Sequence, residues 1–237
     1  MQNVKSIVIL TGAGISAESG LKTFRGSDGL WENHPIENVA TPGAFIRNPA
    51  MVQRFYNERR RQLLSPEVAP NPAHVALARL EREFRGSLLL VTQNVDDLHE
   101  RGGSTAVLHM HGELLKARCK RSGAVYSQTS DITHNDRCPC CDRSGTLRPH
   151  IVWFGEVPMK MSTIQHALPR CDLFLSIGTS GQVYPASGFV RAASAAHKIE
   201  VNPAESEHSL AFNRHIPYPA SIAVPRLVDE ILGGQTA

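Results

Sequence analysis

The apolar positions of this chain fall into short runs separated by polar breaks rich in glycine and proline. Ile7-Val8-Ile9-Leu10 is the first run, and further strand candidates cover 87–92, 107–110, 172–177, 199–201 and 221–224. Short apolar runs bounded by turn signals are the pattern of strands covered on both faces. Helix-forming segments lie between them, over 49–65, 73–84, 163–169, 186–196 and 225–232. Strands that alternate with helices imply an α/β fold, a parallel sheet with helices on both faces.

Two tracts break this rhythm. Phe24-Arg25-Gly26-Ser27-Asp28-Gly29-Leu30-Trp31, followed by Asn33-His34-Pro35 and Thr41-Pro42-Gly43, reads as a long loop. Loops of that length in compact domains are commonly lids, here with Phe24 and Trp31 as apolar anchors and Arg25 directed at phosphate or ribose. Residues 116–147 hold few apolar runs and many Cys, Ser, Thr, Asp and Arg. They read as an inserted lobe that needs a metal staple because it cannot build a core of its own.

Candidate chemistry collects where the strands end. Gly12-Ala13-Gly14-Ile15-Ser16 joins the first strand to a helix start. This is nucleotide-binding geometry, in which glycines let backbone N–H groups approach phosphates and the helix dipole favours them. A dehydrogenase would continue into a second strand with an acidic residue for the ribose; the lid tract stands in that place. Gln93-Asn94-Val95-Asp96, His111-Gly112, Gly178-Thr179-Ser180 and Asn202-Pro203-Ala204 follow the other strands. Ligands of open parallel sheets bind outside the carboxyl ends of the strands, so these endings point to one crevice.

Composition narrows the partners. With 237 residues, 41% hydrophobic and 20% charged, the chain fits one domain with a full core. A net charge of +3, with Arg59-Arg60-Arg61 as the one basic triplet, does not suggest nucleic-acid binding. No apolar run approaches the ~18 residues of a membrane span and no signal segment opens the chain, so a cytoplasmic protein is expected. Five cysteines, three of them in Cys138-Pro139-Cys140-Cys141, fit metal binding better than a secreted disulfide framework. Cys171 reads as a buried core thiol.

Taken in order, Gly12-Ala13-Gly14-Ile15-Ser16, Gly20 with Thr23-Phe24-Arg25, Gln93-Asn94-Val95-Asp96, His109-Met110-His111-Gly112, Phe154-Gly155-Glu156, Gly178-Thr179-Ser180 and Asn202 resemble the sirtuin family. The resemblance spans nearly the whole chain. It implies an NAD-dependent protein lysine deacylase with a Rossmann-like large domain, over about 1–32, 70–115 and 148–237. A small zinc-binding lobe is expected over about 33–69 and 116–147. Gly12, Ala13, Gly14, Ser16, Ala17, Gly20, Thr23, Phe24, Arg25 and Trp31 would surround NAD from the first loop and lid. Gln93, Asn94 and Asp96 would line the nicotinamide ribose pocket, with Asn94 and Asp96 joining His111 in catalysis. Gly178, Thr179, Ser180 and Asn202 would hold the adenosine half, and Ala220 would close over adenine.

In that chemistry the acyl-lysine oxygen attacks the ribose C1′ once positioned. A neutral imidazole, His111, then acts as general base on the ribose hydroxyls. His109, two residues earlier, is expected to face away. The expected products are nicotinamide, free lysine and O-acyl-ADP-ribose. The acyl-lysine protein would bind as an extended strand, with Val152, Phe154, Gly155, Glu156 and Val183 supplying contacts. Monomeric behaviour is expected. Transfer of ADP-ribose to protein, which uses the same NAD activation, is the alternative reading.

Two features set this chain apart within the family. Structural zinc there takes two Cys-x-x-Cys pairs, but the first pair here reads Cys119-Lys120-Arg121-Ser122. Cys119, Cys138 and Cys141 remain; either Cys140, His134 or Asp131 is the fourth ligand, or the site is weak or empty. Tyr56 and Arg59 lie three apart on a predicted helix and share its face. In the bacterial CobB-type, class III branch such a pair binds the carboxylate of succinyl, malonyl or glutaryl groups. Lys22-Thr23, where other branches have Pro-Asp, points the same way. Both deacetylation and desuccinylation are therefore expected.

Overall fold

The computed structural model describes residues 4–21 and 34–234, together with the backbone of Leu30 and Trp31. Along the chain its strands are β1 (Ser6–Thr11), β2 (Leu30–Trp31), β3 (His34–Pro35), β4 (Ser87–Thr92), β5 (Val107–His109) and β6 (Gly112–Cys119). They continue as β7 (Val125–Ser127), β8 (Leu147–Ile151), β9 (Leu173–Ile177), β10 (His197–Val201) and β11 (Arg214–Ile216). The helices are α1 (Ile36–Val39), α2 (Pro42–Arg47), α3 (Pro49–Leu63), α4 (Pro72–Glu83), α5 (Leu98–Arg101), α6 (Met161–Ala167), α7 (Phe189–Ala192) and α8 (Ala220–Gly233). No described helix is long and apolar enough to cross a membrane.

Six strands form a parallel sheet in the order β11-β10-β9-β1-β4-β5. The chain moves outward from β1 to β4 and β5, then returns to the other side of β1 for β9, β10 and β11. That reversal makes β1 the switch point, where an open α/β sheet parts its loops into a crevice. The unbroken apolar run of β1 has two destinations. Ile7 and Ile9 pack with Leu77 and Leu80 of α4 and with Val224 and Leu227 of α8, while Val8 and Leu10 face Ile164 of α6 and Phe189 of α7. Both faces are covered, so no position in the run is polar.

A second, antiparallel sheet, β7-β6-β8, extends from the switch-point side. Its cysteine-rich end has a small core of Ala117, Cys119, Ile132, Cys138 and Leu147. Near the main sheet, α2 and α3 pack Phe45, Phe55 and Tyr56 against Leu114 and Trp153.

Three expectations need correction. Residues 221–224 belong to α8, not to a strand. The buried set Ala220, Ala223, Val224, Leu227, Val228 and Ile231 has helical spacing and runs through Pro225, which had suggested a helix start. Part of the supposed lid loop is helical, because Thr41-Pro42-Gly43 is a helix entry. Thr41 Oγ1 accepts from Ala44 N at 3.0 Å, with Pro42 in the first turn. The cysteine lobe contains strand structure after all, in short, half-polar strands such as Val125–Ser127 that apolar runs do not reveal.

His74 of α4 and His99 of α5 are buried together, with ring centroids 5.1 Å apart. His99 Nε2 lies 3.0 Å from Thr11 Oγ1, and Asn71 N donates to His74 Nδ1 at 3.2 Å. Burial pushes His74 down from 6.5 to about 4 and His99 to about 3, the latter aided by the neighbouring histidines. Both are neutral when folded and take up protons on unfolding below 6.5, so stability is full above that pH and falls with acid. Urea denaturation should lose roughly 2 to 4 kcal/mol between about pH 7 and about pH 5. Equal stability at the two pH values would refute this account.

Candidate active site

A cavity of about 880 Å³ opens at the carboxyl ends of β1, β4, β9 and β10 and reaches to α3 and the segment after β8. Gly12, Ala13, Gly14, Ser16, Gln93, Asn94, Asp96, His111, Gly178, Thr179, Ser180 and Asn202 all line it. Tyr56, Arg59, Val152, Phe154, Gly155, Glu156 and Val183 line it as well. Ala17 and Gly20 are exposed outside it; Gly20, at φ +87°, caps the turn Ala13–Ser19. Ala220, the first residue of α8, is buried in the core and does not line the cavity. Thr23, Phe24 and Arg25, with Lys22 and the side chain of Trp31, lie outside the described residues.

The glycines serve packing first. Gly14 N donates to Gly178 O at 2.8 Å, and Gly12 N to Ile177 O at 3.0 Å. A Cβ on Gly12 would stand 2.7 Å from Gly178 O, and one on Gly14 2.7 Å from Gly178 Cα. The amides of residues 12 and 14 themselves are spent on β9 and its turn. The turn Ala13–Ser19 is a seven-residue 3-10 helix.

Polar groups converge above this floor. Asn94 Nδ2 donates to Ser16 Oγ at 3.1 Å, Ser16 Oγ donates to Asp96 Oδ2 at 3.1 Å, and Leu98 N donates to Asp96 Oδ1 at 3.2 Å. Burial raises Asp96 to about 6, with the Leu98 and Ser16 hydrogen bonds opposing it. Gln93 Nε2 is buried with no partner in the protein, a donor that a ligand in the cavity would satisfy. His111 Nδ1 lies 3.0 Å from Gln93 O. That acceptor places the proton on Nδ1 and leaves Nε2 with its lone pair. Burial lowers the His111 pKa, partly offset by the Gln93 carbonyl, so the ring is a neutral base. His109 does not line the cavity.

At the far end Tyr56 is fully buried and its hydroxyl accepts from Trp153 Nε1 at 2.9 Å. Burial raises the phenol far above its usual range, so it stays a neutral donor. Trp153 is itself held, because Arg148 stacks 3.3 Å over its ring and Glu156 accepts from both Arg148 and Trp153 N. Glu156 is thus an internal anchor as well as a lining residue. Arg59 lies over the Phe55 ring at 4.4 Å with its side chain 16% exposed. Arg60, the middle residue of the basic triplet, is fully buried, donating to Leu114 O and Asn57 Oδ1.

The sulfurs of Cys119, Cys138, Cys140 and Cys141 all lie within 4.8 Å of one another. Four soft donors in one cluster fit tetrahedral zinc, and Cys140 stands where it would supply the ligand that position 122 lacks. Ser122 Oγ sits 3.1 Å from Cys140 Sγ. The other candidates are engaged elsewhere: Asp131 pairs with Arg61 at 2.7 Å, and His134 lies under Gly145.

A family model described as the Sir2 family matches residues 12–185. The NAD-dependent protein deacylase of Vibrio cholerae is 59% identical over 235 residues, covering 98% of this chain and 95% of its own. Its Escherichia coli K12 counterpart is 54% identical, covering 98% of this chain and 84% of its own. Among solved structures, a Sir2 homologue–NAD complex is 36% identical with a TM-score of 0.86, covering 97% of this chain and 90% of that one. A Sir2–p53 peptide–NAD+ complex is 29% identical with a TM-score of 0.80, covering 96% and 94%.

Purified protein should carry about one zinc per chain, and Cys140→Ser should lose it as readily as Cys138→Ser, whereas Ser122→Ala keeps it. Elemental analysis decides this. Full zinc in Cys140→Ser would return the fourth position to another ligand.

Proposed function

The chain belongs to the Sir2 family, and from that premise we propose that it is an NAD-dependent protein lysine deacylase. Its substrates are acetyl-lysine and acidic acyl-lysines, succinyl and malonyl among them. The observation that carries the reading is a neutral imidazole facing the same cavity as a buried Asn-Ser-Asp group and a Tyr-Arg pair. NAD supplies a ribose whose C1′ bears a cationic leaving group, nicotinamide, and an acceptor for the acyl group. Gln93, Asn94, Ser16 and Asp96 orient that ribose, Gly178, Thr179, Ser180 and Asn202 flank the adenosine half, and His111 Nε2 takes a proton from a ribose hydroxyl. Free lysine, nicotinamide and O-acyl-ADP-ribose are the products.

The protein substrate enters at a mouth where Phe154, Val157 and Tyr184 are exposed. Main-chain pairing there is one-sided. The N–H groups of Val152, Phe154 and Glu156 already donate to His111 O, Ala40 O and Trp153 O, and that of Trp153 to Glu156. The segment therefore offers a peptide its carbonyl oxygens, not the alternating donors and acceptors of a free strand edge.

The acyl end distinguishes substrates by charge. Arg59 and the Tyr56 hydroxyl provide a cation and a neutral donor for a carboxylate that acetyl-lysine lacks.

His111→Ala should abolish free-lysine release, measured by mass spectrometry, in a protein that still melts cooperatively; retained turnover would remove the base assignment. Arg59→Met should lower kcat/KM for succinyl-lysine by about ten- to a hundredfold, the worth of one charge-assisted hydrogen bond, and leave acetyl-lysine nearly unchanged. Tyr56→Phe should show a weaker bias together with a loss of roughly 1 to 3 kcal/mol in stability, because Trp153 Nε1 would be left buried without an acceptor. Equal losses on both substrates would withdraw the acidic-acyl assignment.

A further inference from the structure

His109 and His111 flank Met110 at the end of β5, and both rings are turned against the backbone that follows β4. His111 Nδ1 meets the carbonyl of Gln93 at 3.0 Å, and His109 Nδ1 meets the carbonyl of the next residue, Asn94, at 3.3 Å. The rings differ at the other nitrogen. His111 lines the cavity, whereas His109 Nε2 lies 2.7 Å from Glu100 Oε1 of α5. A carbonyl and a carboxylate can only accept, and a neutral imidazole carries a single N–H. Meeting both acceptors requires a proton on each nitrogen.

We propose that His109 is a positioning residue held as an imidazolium by Glu100, which clamps the Asn94 carbonyl and thereby fixes the Asn94–Ser16–Asp96 group for the reaction. This rests on the roles proposed above for His111, Asn94 and Asp96. Two histidines separated by one residue then work in opposite states, one neutral as base and one charged as clamp.

The surroundings of His109 agree. Burial opposes its charge, but the hydrogen bond and carboxylate of Glu100, Glu113 on β6 and the Asn94 carbonyl together raise its pKa. Burial likewise works against the Glu100 carboxylate, and His109, with Lys116 of β6, holds it below the usual range. The charge of His109 also reaches Asp96 and Asp97, favouring their ionised forms, and disfavours protonation of buried His99. The His109 side chain is only 7% exposed, while Glu100 reaches solvent on its other side. Burial raises Asp96, and the hydrogen bonds from Leu98 and Ser16 oppose it ahead of the smaller pull of His109.

The consequence is a bell-shaped pH profile. Activity rises as His111 loses its proton, below the ordinary histidine value, and falls when His109 loses its own, above that value. The test has two arms. Histidine 15N NMR of the wild-type protein at about pH 7 should show both ring nitrogens of His109 protonated, and only one of His111. Glu100→Gln should bring the His109 titration, and with it the alkaline limb of kcat/KM for NAD, to lower pH. His109→Asn should abolish that limb and lower the plateau about tenfold, as expected for one lost charged hydrogen bond. A neutral His109 in the wild-type spectrum overturns the inference whatever the activity. An alkaline limb unchanged in both variants overturns the positioning role even if the ring is charged. Should His111→Ala instead retain deacylation, the functional reading fails while the NMR result stands by itself.

Discussion

Everything at the site depends on how closely two turns approach each other at the switch point. The turn after β1 and the turn after β9 touch backbone to backbone, and Gly178 is the tighter partner. It adopts φ +64°, and a Cβ there would lie 2.3 Å from Ile15 N. Because neither turn carries a side chain at the contact, the two neighbouring strands can end level and their loops form a continuous floor. Ser16 is delivered by one of these turns and Thr179 by the other. The polar group around Asp96 is assembled only because Ser16 is held at this height, 3.1 Å from both Asn94 and Asp96.

From that floor the site grades from wet chemistry to buried recognition. The end beside β1 and β9 is built of backbone turns, with the part-buried His111 ring next to them. The far end holds a phenol, an indole and a guanidinium that fix one another in sequence, from Glu156 through Arg148 and Trp153 to Tyr56. A buried hydroxyl already held by a rigid donor loses little freedom when a ligand arrives, which favours selectivity over adaptability. The open mouth, with its exposed Phe154 and Tyr184, imposes no comparable order on the rest of a substrate.

Much of this was legible in the sequence, and for identifiable reasons. The parallel sheet was readable because β1, β4 and β9 each carry an apolar run, with only Ser6, Thr11, Ser87, Thr92 and Ser176 polar among them. The crevice was readable because polar residues recur where those strands stop. The β6–β8 sheet and β11 were not readable, since β7 and β11 are three residues each and β6 and β8 place Glu113, Lys116, Arg118, Arg148 and His150 among their apolar positions. Helix α8 was misread at its start because Pro225 imitates an N-terminus while the buried face continues through it. Cys140 could not be separated from His134 and Asp131 by spacing; only the fold shows which donor reaches the other sulfurs. Arg60 hid in a basic triplet, and nothing in a run of three arginines distinguishes the one that is buried.

The fastening of α3 has an implication for how this chain can change over time. Asn57 grips the lobe by its main chain, donating to Ile132 O and accepting from Ile132 N at 2.9 Å each, and Gln53 reaches Leu147 O. These contacts read the lobe's backbone and ignore its side chains. Substitutions across most of residues 120–146 can therefore accumulate without disturbing the helix that presents Tyr56 and Arg59, whereas a single inserted or deleted residue near Ile132 would shift the register and pull on it. Away from Asp131, Ile132 and the cysteine cluster, the lobe is free to drift in composition and constrained in length.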